Sequence, residues 1–239
     1  MLDKTSMTLG SKVNNKILVI AAHPDDEVLG AFSYLSDSRY NTRTVFVCEG
    51  SSGRFQGNYD IDELKIAIEQ RENAAHLVAK TLGNNAPIFL NFKNFSLLPK
   101  SIPELNKKLE FIIRDFTPNM IITHSFNCNN SDHIAVSISV SNLVRSNVYP
   151  EISTVLHMEI PSSTEQSLGK NFTPNHFKEL NLSQLENKLK CLSFYGEELQ
   201  KNPAPRSEFG IKSYASFRGV ASGMPYAEGF QIMRSIFRE

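Results

Sequence analysis

An uninterrupted apolar run at residues 16–22, KILVIAA, constrains the fold of this chain more than any other feature. Such a run, without polar alternation, is typical of a strand buried on both faces. Strands of this kind occur in parallel sheets that helices cover on both sides. Comparable runs recur along the chain at residues 43–48, 87–92, 119–123 and 152–160. We therefore predict a mainly parallel sheet.

Segments with the apolar spacing of amphipathic helices separate these runs. They lie at residues 61–82, 103–115 and 133–145, and Gly83 stands where a helix C-cap is expected. Alternating strands and helices predict an α/β fold with a Rossmann-like sheet and helices on both faces. The last third predicts a helical C-terminal part after an irregular loop at 161–177, with helices at 183–201, 207–218 and 226–237.

Length and composition predict a loose N-terminal tail at residues 1–15 and a single domain at 16–239. The 25 basic residues equal the 25 acidic ones, which argues against nucleic acid as a partner.

No apolar stretch reaches the length of a membrane span and no signal peptide begins the chain, so we expect no stable membrane insertion and a cytoplasmic location. The three cysteines form no CxxC pair, which indicates reduced thiols.

Four ionisable residues follow the first predicted strand, in the order His23, Asp25, Asp26 and Glu27, with Pro24 between the first two. Ligands of open parallel sheets bind beyond the carboxyl ends of the strands. Neighbouring carboxylates repel each other unless a cation lies nearby, and His with Asp is a ligand set suited to zinc. The spacing places His23 and Asp26 on one side of a turn and leaves Asp25 free to act on a metal-bound water. The alternative is acidic capping of a helix N-terminus.

A second cluster follows the fourth predicted strand, where Asp132 and His133 begin a helix at the same end of the sheet. His133 would complete the three protein ligands that a catalytic zinc commonly has. Asp132 would hydrogen-bond a ligand or place charge near the reacting group. A surface or capping role for His133 is the alternative.

These motifs resemble those of the LmbE-like, or PIG-L-type, zinc-dependent de-N-acetylases. The first family motif matches at every position of residues 22–27, AHPDDE, and Asp132-His133 match the end of the second. Weaker matches follow in the expected order: Arg71-Glu72, 159–165, 203–207 and 226–230. The resemblance therefore extends over nearly the whole chain.

The resemblance implies one Zn²⁺ per chain, or another divalent cation, bound by His23, Asp26 and His133, with Asp25 as general base. It also implies an N-acetylated amino sugar on a carrier as the substrate and places Arg71 beside it. The structural alternative for Arg71 is a helix-surface arginine paired with a carboxylate. Relatives are often oligomeric, so a homo-oligomer is also an expectation.

The chain departs from the family pattern at Asn130, where the second motif often has histidine. His124, in a Thr-His pair upstream, is a candidate for the missing imidazole, and packing at the strand end is its alternative. Asn130 or His124 would then donate to the oxyanion. Arg54 lies in a glycine-containing segment after the second strand and is a candidate contact to a sugar or a phosphate. The alternative is that this segment is a plain surface turn.

The sequence thus predicts hydrolysis of an N-acetyl amide on an amino sugar or sugar conjugate, with Asp25 activating a zinc-bound water. Two alternatives stay open. One is a metal-dependent hydrolase of another amide or an ester, because a metal centre does not select the acyl group. The other is a catalytically silent sugar-binding relative that has lost the imidazole at position 130.

Overall fold

Seven strands form one sheet in the computed structural model, which describes residues 15–55, 60–169 and 171–237. In chain order the strands are β1 (Lys16–Ala21), β2 (Asn41–Cys48), β3 (Ile88–Phe92), β4 (Met120–Thr123), β5 (Thr154–Met158), β6 (His176–Leu180) and β7 (Tyr226–Ser235). Their spatial order is β3-β2-β1-β4-β5-β7-β6. The five strands from β3 to β5 are parallel, and β7 is antiparallel to both of its neighbours.

Six α-helices cover the sheet within the described residues: α1 (Asp26–Leu35), α2 (Ile61–Leu82), α3 (Ile102–Phe116), α4 (Ser131–Leu143), α5 (Leu182–Ser193) and α6 (Glu208–Ser222). Alternate residues of β1 enter two separate cores, because successive strand side chains point to opposite faces. Helices α1, α2, α5 and α6 pack over one face, and α3 and α4 over the other. The prediction of a mainly parallel α/β sheet with helices on both faces is confirmed. None of the helices described combines the length and apolarity needed to cross a bilayer.

The predicted helix at 226–237 is wrong, since Tyr226–Ser235 form β7. A short apolar segment does not distinguish a helix from a strand by its pattern alone, and the surroundings decide here. Phe230 is fully buried against the ring of Tyr34, and Glu228 accepts a hydrogen bond from Lys188 Nζ. The helical C-terminal part is thus limited to α5 and α6.

The helix predicted at 183–201 ends early, at Ser193. Gly196 has a positive φ of 61°, which a continuing α-helix does not allow, and a short 3₁₀ turn at Gly196–Glu198 follows. The strand β6 also lies partly in the segment expected to be irregular. The predicted tail at 1–15 falls outside the described residues except for residue 15, and the division into a tail and one domain stays a prediction.

Candidate metal centre

The candidate site lies where the strand order reverses, at the carboxyl ends of β1 and β4. These strands are parallel neighbours, with Ile20 paired to Thr123. To one side of β1 the chain continues to β2, and to the other side lies β4, so a crevice opens between the two loops. Both loops lead directly into helices, α1 and α4, whose N-termini carry the predicted residues. The fold therefore brings the two sequence clusters together.

The three predicted metal ligands converge in this crevice. Asp26 Oδ2 lies 3.2 Å from His23 Nδ1 and 3.3 Å from His133 Nε2, and the two ring nitrogens are 3.3 Å apart. All three side chains are buried, and Asp26 Oδ1 has no hydrogen-bond partner among the described residues. Tetrahedral ligands at zinc distances are about 3.3 Å from one another, so the donor set and its spacing fit such an ion.

Further side chains hold the two candidate histidine ligands in this orientation. His23 Nε2 lies 3.1 Å from Asp132 Oδ2, and the same carboxylate accepts a hydrogen bond from the backbone N–H of Phe95. His133 Nδ1 lies 3.2 Å from the sulfur of Cys128. Carboxylate support of a metal-binding imidazole fixes its ring and raises its basicity. Two roles were predicted for Asp132, and its position suits the hydrogen bond to a candidate ligand, His23.

Burial and charge set the protonation of the candidate ligands. Burial raises the pKa of Asp26, but His133 and His124 beside it outweigh this effect and hold the pKa well below its usual range. Burial lowers the pKa of His133. Burial also opposes the charged form of His23, yet the hydrogen bonds to Asp132 and Asp26 raise its pKa to about 9. An ionised Asp26 and a neutral His133 are the forms that bind a metal.

Asp25 occupies a strained position immediately before α1. Its φ of 134° is rare for a residue with a side chain, and Glu27 Oε2 accepts the Asp25 backbone N–H at 3.0 Å. Asp25 Oδ2 accepts a hydrogen bond from Arg206 Nη1 at 2.9 Å and lies 3.4 Å from Arg71 Nη2. Asp25 Oδ1 has no partner among the described groups. One carboxylate oxygen is therefore held while the other stays available.

Burial raises the pKa of Asp25 well above its ordinary value, although Arg206 opposes this shift. The buried carboxylate of Glu198 accepts hydrogen bonds from Arg54, Arg71 and Arg206. Asp25 and three arginines are thus linked through one further carboxylate. Arg71 is buried in this network, whereas Arg54 stays more than half exposed.

Asn130 and His124, the two candidate oxyanion donors, lie in different parts of the site. Asn130 is the N-cap of α4, where its Oδ1 accepts the N–H of Asp132, and it lines the cavity in front of the candidate ligands. His124 is fully buried, stacks on His133 with ring centroids 3.9 Å apart, and its Nε2 accepts the N–H of Ala22. Burial lowers the pKa of His124 well below its ordinary value. The neutral ring stacks on His133, lies with Nε2 3.4 Å from Asp26 Oδ2, and supports the end of β1.

Sequence reasoning missed two residues of the site, Glu198 and Arg206. They line a cavity of about 190 Å³ together with His23, Asp25, Arg54, Arg71 and Asn130. Arg206 belongs to a segment, 203–207, that matched the family, but nothing there indicated a contact with Asp25. Glu198 lay inside a predicted helix and carried no signal.

Comparison with protein families gives a match to PIG-L, described as GlcNAc-PI de-N-acetylase, over residues 18–144. This range is more than half of the chain and contains both sequence clusters. No curated protein sequence matches the chain significantly.

Several solved structures share the fold at low sequence identity. The N,N'-diacetylchitobiose deacetylase of Pyrococcus horikoshii has a TM-score of 0.72 and 22% identity, over 93% of this chain and 85% of its own. The 4-carboxy-2-hydroxymuconate hydratase GalB of Pseudomonas putida KT2440 has a TM-score of 0.68 and 20% identity, over 94% and 98%. A zinc-inhibited form of the teicoplanin deacetylase Orf2 has a TM-score of 0.68 and 16% identity, over 93% and 100%.

Proposed function

The chain belongs to the PIG-L family, and from this membership we propose that it is a metal-dependent hydrolase that removes the N-acetyl group of an amino sugar or sugar conjugate. One observation carries the proposal. His23, Asp26 and His133 place two ring nitrogens and a carboxylate oxygen within mutual reach, and Asp25, the residue immediately before Asp26, has a buried Oδ1 without a partner among the described residues. This arrangement pairs a metal site with a general base.

The reaction adds water to the acetyl carbon and breaks the carbon–nitrogen bond, giving acetate and a free amine. A divalent cation bound by the three residues would polarise the amide carbonyl and lower the pKa of a coordinated water. Asp25 takes a proton as the water attacks and delivers it to the departing nitrogen. The raised pKa of Asp25 makes its carboxylate a stronger acceptor for the first of these transfers.

The arginines orient Asp25 for this role. Arg206 and Arg71 both approach Oδ2, which leaves Oδ1 for the proton transfer. Asn130 uses its Oδ1 to cap α4, so its Nδ2 is the side-chain donor that remains for a developing oxyanion. His124 is a weaker candidate for that role, because it is fully buried and its Nε2 accepts the N–H of Ala22.

The cofactor we propose is one Zn²⁺ per chain, since nitrogen and carboxylate ligands with near-tetrahedral spacing suit this ion. Other divalent ions accept the same donors, and metal analysis of the purified protein distinguishes them.

The fold alone does not fix the reaction, because it also occurs in a hydratase. Acetate release from a panel of N-acetyl sugars, sugar phosphates and nucleotide sugars tests the proposal. We expect release from at least one panel member by the metal-loaded protein and none after chelation. Zinc near one equivalent without any release would instead favour the silent sugar-binding alternative, and release from other amides or esters alone would favour the broader hydrolase.

A further inference from the structure

A second, larger cavity adjoins the candidate active site. This groove runs along α2, between that helix and residues 194–197, and has a volume of about 800 Å³. Arg54 and Arg71 line both the groove and the smaller cavity that contains His23 and Asp25. A substrate can therefore extend from the candidate metal centre past the two guanidinium groups into the groove, which we call the α2 groove.

The α2 groove offers the contacts that a nucleoside requires. Its apolar lining includes the ring of Phe194 and the side chain of Leu77, surfaces on which a planar base can pack. Gln70 and Asn73 line the same groove, and their amides both donate and accept hydrogen bonds, as the edge of a base requires. The exposed carboxylate of Glu197 also lines the groove, where it can accept hydrogen bonds from ribose hydroxyls.

The junction between the two cavities is suited to phosphate. Three guanidinium groups, of Arg54, Arg71 and Arg206, face two carboxylates, of Asp25 and Glu198, which leaves an excess of one positive charge. The Arg54 guanidinium is half exposed, and within the described ranges its only recorded contact is from Nη2 to Glu198. Arginine binds phosphate through paired N–H donors, and Nε and Nη1 are available for this.

We propose that the α2 groove binds the nucleoside part of a nucleoside-diphosphate-linked N-acetyl sugar, with the diphosphate at Arg54 and Arg71. The inference rests on the proposed function and names its substrate class. An acyl chain would fill the apolar part of the groove but would offer no acceptor to the amides of Gln70 and Asn73 or to the remaining donors of the Arg54 guanidinium. A free amino sugar would leave the whole groove empty.

Binding and catalysis are measured separately, so that the two proposals can fail independently. Isothermal titration calorimetry of the metal-loaded protein with UDP, ADP, N-acetylglucosamine 1-phosphate and octyl N-acetylglucosaminide measures occupancy without turnover. We expect UDP or ADP to bind at least tenfold more tightly than either of the last two ligands. Acetate release from UDP-N-acetylglucosamine and from free N-acetylglucosamine is then measured on the same preparations.

Two variants with matched controls locate the ligand. Leu77→Glu introduces a negative charge into the groove, and Phe111→Glu makes the same change at an exposed site on α3, across the sheet. Arg54→Gln removes the exposed junction charge, and Arg145→Gln removes an exposed arginine elsewhere. We expect at least tenfold weaker nucleotide binding for Leu77→Glu and Arg54→Gln, and less than a twofold change for the controls.

Three results would overturn the nucleotide assignment. They are the absence of binding by both nucleotides, binding of the octyl glycoside as tight as that of the nucleotides, and equal effects of Leu77→Glu and its control. If free sugars still release acetate in these cases, the proposed function stands and only the carrier assignment fails. If nucleotides bind with the expected pattern but no panel member releases acetate, nucleotide binding in the α2 groove is supported and the proposed function fails.

Discussion

The Nδ1 atom of His23 lies 3.3 Å from the Nε2 atom of His133, although 110 positions separate the two residues in the sequence. The parallel pairing of β1 with β4 causes this approach, because both strands end at the same edge of the sheet. Because the pKa of His23 is raised to about 9, this ring has to lose a proton before both nitrogens can bind a cation together with Asp26.

Replacing one of these candidate ligands should abolish metal binding. For His133→Ala we expect the metal content to fall from near one equivalent to below a tenth after dialysis, because two protein ligands hold zinc far more weakly than three. Inductively coupled plasma mass spectrometry measures the ratio, and circular dichroism checks the fold. His76→Ala, on the exposed surface of α2, is the control. One equivalent retained by His133→Ala would exclude this ligand set.

Asp132 should influence the metal through His23. For Asp132→Ala we expect a roughly 10- to 100-fold loss of metal affinity, because the carboxylate no longer orients the imidazole. Competition with a chelator of known affinity measures the change. Asp132→Asn keeps an acceptor for the ring N–H and should lose less. Equal losses for both variants would mean that the hydrogen bond to His23 is not what Asp132 supplies.

Tyr195 should contribute to stability through a buried carboxylate. Its hydroxyl donates to Glu27 Oε1, and burial raises the pKa of Glu27 to about 7 although this hydrogen bond opposes the shift. Tyr195→Phe leaves the carboxylate with one donor fewer, so we expect a loss of about 1–3 kcal/mol in the free energy of unfolding. Urea denaturation measures it, with the partly buried Tyr226→Phe as control. A loss no greater than that of the control would contradict the account.

The sequence predicted the elements that build the candidate metal centre, because each depends on local patterns. The buried run of β1, the helix α2 with its Gly83 C-cap, and the clusters at 23–27 and 132–133 all carry strong local signals. Helix α2 has the bounds expected for it, Ile61–Leu82. The geometry of the three candidate ligands then follows from the order of the strands. The alternation of strands and helices constrains that order, and ligands of such sheets bind where the strand order reverses.

The remainder depends on contacts between distant segments. The strand β7 pairs with β5 on one side and with β6 on the other. Its own residues do not indicate these partners, and their pattern resembled that of a helix. Arg206 reaches Asp25 from 181 positions away, and Glu198 joins three arginines after an unpredicted end of α5. A single sequence has no periodicity or spacing that reports such contacts.

His157 should make the protein sensitive to acid. Burial lowers its pKa to about 4, so the folded protein binds fewer protons than the unfolded chain between pH 6.5 and 4. Protons therefore favour the unfolded chain in this window, so the free energy of unfolding falls as the pH drops through it. We expect this residue to contribute about 2 kcal/mol of the loss in the free energy of unfolding between pH 7 and pH 5.

The variant His157→Gln should reduce that pH dependence, because glutamine does not titrate. Urea denaturation at pH 7 and pH 5 gives the difference for the wild type and the variant, and His76→Gln controls for the loss of an exposed imidazole. An unchanged difference in His157→Gln would show that the acid sensitivity arises elsewhere.

The most direct test of the account combines metal analysis with acetate release for the wild type and Asp25→Asn. Asparagine has nearly the same shape and volume as aspartate at this strained position, so the fold and the candidate ligands should persist. We expect Asp25→Asn to retain the wild-type metal content and to lose roughly 10²- to 10⁴-fold in turnover on the best substrate. Full activity, or loss of the metal together with activity, would contradict the assignment of Asp25 as base beside the ligand Asp26.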